Sequence, residues 1–536
     1  MTPSSESEQN PDFWAPGTVV IADRDQLVSG AILHPTPTDD PNDPLNWSPL
    51  RKAVNFALVS LYVLLTFVQL DIGFTAWEQM QGELKFSVDQ LNGSAAVNYA
   101  GLAVGCILFI PFAYKYGRRP VYLFSALLQF VGCIWFATTK NIGDSYGSNL
   151  ISGLGGAIPV SETIAQMTIA DLFFVHDHAS MNGWYLFSTF TGAYLGPVAS
   201  GYIVESQGWR WMWWWCVILF GINLVLILLF FEETKFTRVL SGSREVDPEG
   251  ERNESTETSR DKQAKLQQVS STVQLESRPR KKSYRERLAW VTKTDGSMLH
   301  DFYQPVVVLF TFPAVAYTAA TFGTLLAWFA ILISTQSTYL FLPPYNFTAV
   351  GVGLMNLAPF IGSIPGVFFG GYLNDKSILW LSKRNNGIYE PEMRLWLALP
   401  MAIITPAGIL IFGLGLNNGS SWPVLAVGLG MFAFGLTVAG DIALSYSMDC
   451  YHDIVGTALV GVVFVRNVLA VVVLFALTPW TKAMGLKGLH IFISVVCFVV
   501  LLIPAVLLVW GKKGRVATRD AYMKMSEQQP TRRDFT

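Results

Sequence analysis

The chain has 536 residues, of which 51% are hydrophobic, 13% aromatic and only 14% charged. Soluble domains carry nearer a quarter charged residues, but what counts against a water-exposed fold is how the apolar residues are distributed, and a net charge of −2 says nothing about a charged partner. The apolar residues come in blocks, and 302–374 and 395–440 contain no Asp, Glu, Lys, Arg or His. A membrane span needs about twenty mostly apolar residues to cross roughly 30 Å of hydrocarbon, so each block holds two spans with a polar connection.

In chain order, residues 1–52 are polar and rich in Pro, Asp and Ser. They have no short apolar stretch after a basic start and read as a mostly disordered tail rather than a cleaved signal peptide. Apolar windows predict six spans in 53–232, at 53–76, 94–113, 119–138, 148–173, 181–204 and 209–232. Six more follow in 304–510, at 304–333, 349–370, 395–415, 423–447, 456–478 and 488–510. The intervening 233–303 is dominated by Ser, Glu, Lys, Arg and Gln and reads as a mostly disordered linker. Its 282–291 stretch alternates basic and apolar residues, fitting either a short helix on the membrane surface or a solvated linker. Residues 511–536 form a short basic tail. The expected fold class is all-α membrane protein, with twelve transmembrane helices in two pseudo-symmetric six-helix bundles.

Orientation follows from the positive-inside bias. With the N-terminus cytoplasmic, the inner loops receive Arg51, Lys52, Lys115, Arg118, Arg119, Arg278, Arg280, Lys281, Lys282, Lys376, Lys383, Arg384, Arg394, Lys512, Lys513 and Arg515. Possible N-glycosylation sequons at Asn92, Asn346 and Asn418 then fall outside, and one at Asn253 falls inside. The five cysteines, Cys106, Cys133, Cys216, Cys450 and Cys497, lie in or beside spans without paired spacing and read as packing residues. Five tryptophans between Trp209 and Trp215 mark an interfacial belt.

After the second span stands Lys115-Tyr116-Gly117-Arg118-Arg119-Pro120, and after the eighth Gly371-Tyr372-Leu373-Asn374-Asp375-Lys376. On these loops the chain resembles the major facilitator superfamily, from about residue 45 to 512. Two guanidiniums at an inner helix end can meet helix C-terminal carbonyls and neighbouring carboxylates, forming a latch between moving helices. Ile110 and Tyr114 depart from the family's Gly and Asp, which puts the carboxylate part of the first latch in doubt. A finer resemblance, to the fungal twelve-span drug:proton antiporter branch, rests on Asp43-Pro44-Leu45-Asn46-Trp47-Ser48, on Thr168 to Phe174 and on Tyr389 to Leu395. In span five, Gly192, Gly196, Pro197 and Gly201 are similar to that family's antiporter motif, with Ser200 replacing a glycine. Small residues four apart also serve ordinary helix packing. Span four has Asn149 where the family's proton-linked pattern has Arg, so proton coupling is implied by the resemblance alone.

Ionisable groups inside a bilayer are costly and are functional candidates by default. Four stand out as proton or substrate coupling candidates: Glu162, Asp71, Asp441 and Arg466. Glu162 near the middle of span four is the favoured coupling group. Asp71 is either a coupling group or a solvated residue of an outer vestibule, and Asp441 and Arg466 are expected to form a structural ion pair. Tyr185, Phe190, Tyr194 and Phe329 either line a cavity or pack. A metal site across Asp171 to His178 is rejected in favour of a helix end with solvated histidines. No Walker loop, nucleophile elbow or His-Glu-x-x-His appears, so no enzyme, cofactor or metal is expected. The expected partners are a small-molecule substrate, the lipid bilayer and, by resemblance, protons; no nucleic acid is expected, and the protein is expected to be a monomer. Three functions compete: proton-driven efflux of a small organic molecule, proton-coupled uptake of a cationic or polar nutrient such as a polyamine, and a non-transporting membrane sensor. The plasma membrane is the expected location.

Overall fold

In the computed structural model, residues 15–20, 40–160, 162–173, 175–235, 283–288 and 298–527 are described. The sequon at Asn253 and the basic run Arg278 to Lys282 lie outside the described residues, as do the side chains of Glu162, Gln166, His176, Asp177 and His178.

Twelve spans cross the molecule. The first comprises the helix Pro49–Asp71, a 3₁₀ turn Ile72–Ala76 and a final helix Trp77–Leu84. Spans two, three and six are single helices, Val88–Tyr116, Arg118–Ala137 and Trp209–Phe230. Span four runs through Ile142–Val160 and Glu162–Leu172, and span five through Val175–Phe190, a π-turn Thr191–Leu195 and Gly196–Gln207. In the second half, span seven is Pro313–Tyr339 and span eight Ala349–Arg384, the latter also holding a π-turn at Phe369–Leu373. Spans nine and ten are Pro391–Asn417 and Trp422–Cys450. Spans eleven and twelve are joined with no loop: the helix Val455–Leu501 turns back at Gly485, and Ile503–Ala517 completes span twelve. Gly485 has φ +68°, a region that side-chain-bearing residues rarely occupy, and so acts as the whole connection.

Each half has its own core. Tyr62, Tyr122, Phe220 and Phe231 centre the first, and Phe312, Phe412, Phe432 and Tyr446 the second. Outward faces are apolar, with Ile361 64% and Ile403 69% exposed, as a lipid-facing surface requires. Lipid tails are as apolar as leucine, so helices associate here through close packing and small residues. The halves meet where span two runs along span eleven and where span five runs along span eight.

One sequence expectation needs correction, and two further stretches gain detail. Span seven begins at Pro313, not 304, because the residue before a proline is pushed out of the helical region, and Phe312 is extended at φ −106°, ψ 112°. The preceding Met298–Thr311 is a separate helix packed on spans two and eleven. The N-terminal tail is not uniformly structureless: strand β1, Val19–Val20, pairs antiparallel with β2, Ile388–Tyr389, between spans eight and nine. Lastly, within 282–291 the described part is a single helical turn, Tyr284–Arg287, with the Tyr284 hydroxyl on the Leu229 carbonyl at the end of span six.

Candidate functional site: a cavity between the halves

A cavity of about 80 Å3 lies between the two halves, lined by Asp71, Tyr99, Phe190, Tyr194, Phe329 and Arg466 among others. That is room for a few waters and far short of a drug-sized ligand. Asp71 ends the first helix of span one, where α-geometry tightens into the 3₁₀ turn. It is 1% exposed, and its Oδ1 has no hydrogen-bond partner. Placement in a solvated outer vestibule is therefore wrong, because the turn folds the carboxylate inward. Arg466 on span eleven faces the same cavity, with its guanidinium carbon 5.2 Å from the Phe322 ring centroid. Among the described residues no ion pair joins Asp71 to Arg466. Phe190 stacks on Tyr194 at 6.1 Å, and Tyr194 meets Phe329 edge-on at 5.8 Å. Tyr185 instead packs in the N-terminal core.

The expected pair of Asp441 and Arg466 does not form. Asp441 lies against Gly370 of span eight, where an added Cβ would come within 2.9 Å of its Oδ2, and its charged neighbours are Arg394 and Asp375. Similar depth on adjacent spans did not translate into facing sides. Glu162 opens the helix Glu162–Leu172 of span four, with its side chain outside the described part.

The glycines of span five sit where backbones approach. A Cβ at Gly192 would lie 2.4 Å from the Leu64 carbonyl oxygen, one at Gly196 3.0 Å from the Val68 Cα, and one at Gly201 2.6 Å from the Ala349 carbonyl oxygen. Gly353 of span eight answers in kind: a Cβ there would lie 2.5 Å from the Pro197 carbonyl oxygen. Pro197 has no N–H to donate, and the π-turn falls just before it. Ser200, the departure from the motif, places its hydroxyl 2.7 Å from that of Thr75, in the turn that follows Asp71. Sequence reasoning missed this link, whose only signal was a polar residue where the motif has glycine.

At the inner loop, Gly117 (φ +109°) reverses the chain between spans two and three. Arg118 Nε lies 3.2 Å from Asp171 Oδ2. Arg119 donates to the carbonyls of Phe231, Leu228 and Leu288 at 2.8, 2.8 and 2.6 Å. Glu233 accepts from the backbone N–H groups of Arg118, Arg119 and Lys235. Burial nevertheless pushes the Glu233 carboxyl above the usual carboxylate range. The same burial, helped by Arg118, lowers the Lys235 ammonium to about 8. The carboxylates around this loop thus come from spans four and six, while Tyr114 packs its hydroxyl into the notch left by Gly456 of span eleven. In the second half, Asp375 pairs with Arg394 at 3.1 Å, and Arg394 also binds Asp449 at 2.5 Å. Lys376 lies 4.6 Å over the Tyr372 ring, and a Cβ at Gly371 would meet open space.

Asn92 does not suit a glycan. It is 2% exposed, and its side chain bonds Thr478 at 3.3 Å and Ser334 at 2.5 Å across the halves. Asn346 and Asn418 are exposed.

Two six-helix halves around a mostly apolar cavity that holds Asp71 and Arg466 define a multi-pass membrane transporter. The chain belongs to the Major Facilitator Superfamily, whose family model matches residues 58–473. It is 34% identical to an uncharacterized MFS-type transporter of Schizosaccharomyces pombe, over 95% of this chain and 94% of that one. It is 30% identical to Protein HOL1 of Saccharomyces cerevisiae, over 92% of each, and 25% identical to Efflux pump radE of Floropilus chiversii, over 89% and 83%. The human organic anion transporter MFSD10 (TETRAN) shares the fold, with a TM-score of 0.54 at 16% identity over 86% of this chain and 100% of that one. The protein is a secondary transporter of this superfamily.

Proposed function

We propose that the chain is a proton-coupled exporter of a small organic molecule in the plasma membrane, with Asp71 as the group that takes up and releases the proton. The observation that carries this reading is the Asp71 carboxylate, 1% exposed, with an unpartnered oxygen beside the cavity between the halves. An ionised carboxylate is expensive there, so closure around it favours a bound proton or a cationic ligand, and opening to water favours release. Export is supported by the glycine–proline pattern of span five and by the name of the Floropilus relative. A second reading, uptake of a cationic solute such as a polyamine, draws on the same carboxylate beside the rings of Tyr99 and Tyr194.

Accumulation assays in cells with and without the protein separate the two. Export predicts lower, protonophore-sensitive retention of lipophilic amines and aromatic dyes; raised uptake of spermidine favours the second reading. Asp71→Asn is expected to reach the membrane and lose the pH-dependent part of either flux. An unaltered pH profile would remove Asp71 from coupling and leave Glu162 and Asp441 to be tested alike.

A further inference from the structure

Beside the central cavity, inside the N-terminal bundle, is a second chamber of about 60 Å3 between spans one, two and four, backed by Trp213 of span six. Leu70 and Tyr99 line both spaces, so these two side chains part the chamber from the cavity that holds Asp71. From that wall the chamber runs outward past Ser94 and Ser145, near the outer ends of spans two and four, to Trp77 and Met80 of the outermost helix of span one. Among the described residues its lining contains no Asp, Glu, Lys, Arg or His.

The lining is mostly apolar, with a polar strip of Gln69, Ser94, Asn98, Tyr99, Ser145 and Asn149. Ser94 and Ser145 hydroxyls meet at 2.9 Å, and the Asn98 amide donates to Asn149 at 3.3 Å. Two further donors, Gln69 Nε2 and Trp213 Nε1, are buried with no partner in the protein. Buried donors are seldom left unmet, and a space of this size has room for a few waters.

We propose that this chamber is hydrated and carries the coupling proton between the outer face and Asp71, with the Tyr99 hydroxyl as the last relay. The inference rests on the assignment of Asp71 above. In the inward transfer, a chamber water gives a proton to the Tyr99 oxygen as Tyr99 gives its own, through a water of the central cavity that both side chains line, to the Asp71 carboxylate. The chamber water is restored from the outer side, so the net change is one proton moved and one carboxyl formed. Tyr99 carries the only exchangeable side-chain proton in the shared wall, and Asp71 and Arg466 are its charged neighbours. Among the described residues, the titratable groups that line the cavity with Asp71 are Tyr99 on span two, Tyr194 on span five and Arg466 on span eleven.

Two measurements on the full chain in lipid nanodiscs test this. Radiolytic hydroxyl-radical footprinting marks side chains beside bound water. Met80 and Trp213, 7% and 4% exposed, are expected to be modified about tenfold faster than Met212, 1% exposed. Equal rates mean a dry chamber and overturn the proposal. Infrared difference spectra in D2O then follow deuteration of the protonated Asp71 carboxyl, identified by the band lost in Asp71→Asn. Tyr99→Phe, and separately Ser94→Val with Ser145→Val, are expected to slow that exchange about tenfold. Unchanged exchange in Tyr99→Phe, a variant that keeps the wall, overturns the route even if the chamber is wet. If Asp71→Asn removes no band, the Asp71 assignment falls and the route loses its end point, while the footprint still decides hydration.

Discussion

Arg119 is 2% exposed and spends its guanidinium on three backbone carbonyls, two from the end of span six and one from the returning linker. A carbonyl left unmet in a buried place costs about 1–3 kcal/mol. Arg119→Ala is therefore expected to lower thermal stability in detergent by a few such increments, and Arg119→Lys, with one compact ammonium, to recover only part. An unchanged melting temperature in the Ala variant would show that water replaces the guanidinium. Lys235 beside it is a pH probe. Its folded pKa is depressed to about 8 from 10.5, so the unfolded chain binds more protons between those values and stability rises with pH across them. Lys235→Met should flatten that rise in a melting-temperature series. Glu233, shifted upward, acts with the opposite sign at lower pH: stability falls as it ionises above the usual carboxylate range.

Span five is the element in which local irregularity and contact coincide. Its π-turn, Thr191–Leu195, lies against span one, and the helix after Pro197 lies against span eight. Pro197→Ala supplies the missing N–H and removes the reason for the irregular turn. We expect normal surface expression with transport reduced about tenfold or more, checked by initial rates normalised to cell-surface labelling. Gly353→Val should do similar harm from the other side, because its Cβ meets the Pro197 carbonyl at 2.5 Å. Full transport in both variants would reduce the span-five pattern to ordinary packing.

For the whole molecule, alternating access requires that the outer ends of the halves part during transport. Asn92 of span two touches Ser334 of span seven and Thr478 of span eleven. A cysteine pair at Asn92 and Ser334 is expected to oxidise readily and to stop transport, with recovery on reduction. The five native cysteines are buried, and the single-cysteine variants control for them. Transport that continues in the oxidised pair would mean that these ends do not separate.

Much of the architecture was legible in the sequence, because a bilayer leaves the backbone few options and demands long apolar blocks. Twelve spans, two halves and the family followed from those blocks and from the inner loops. The start of span seven was also readable, in Pro313, but the apolar run before it concealed the break. Side-chain partnership was not legible. Helix rotation sends Asp441 toward span eight and Arg466 into the cavity, although their depths match. The turn after Asp71 buries a residue that its position alone would set near water. Arg118 and Arg119 find their carboxylates and carbonyls on spans four and six, far along the chain. By itself the sequence determined what must lie in lipid, since hydropathy is a property of each segment. Only the tertiary structure decided which polar groups face one another, since that depends on how neighbouring helices turn and how closely their small residues let them approach.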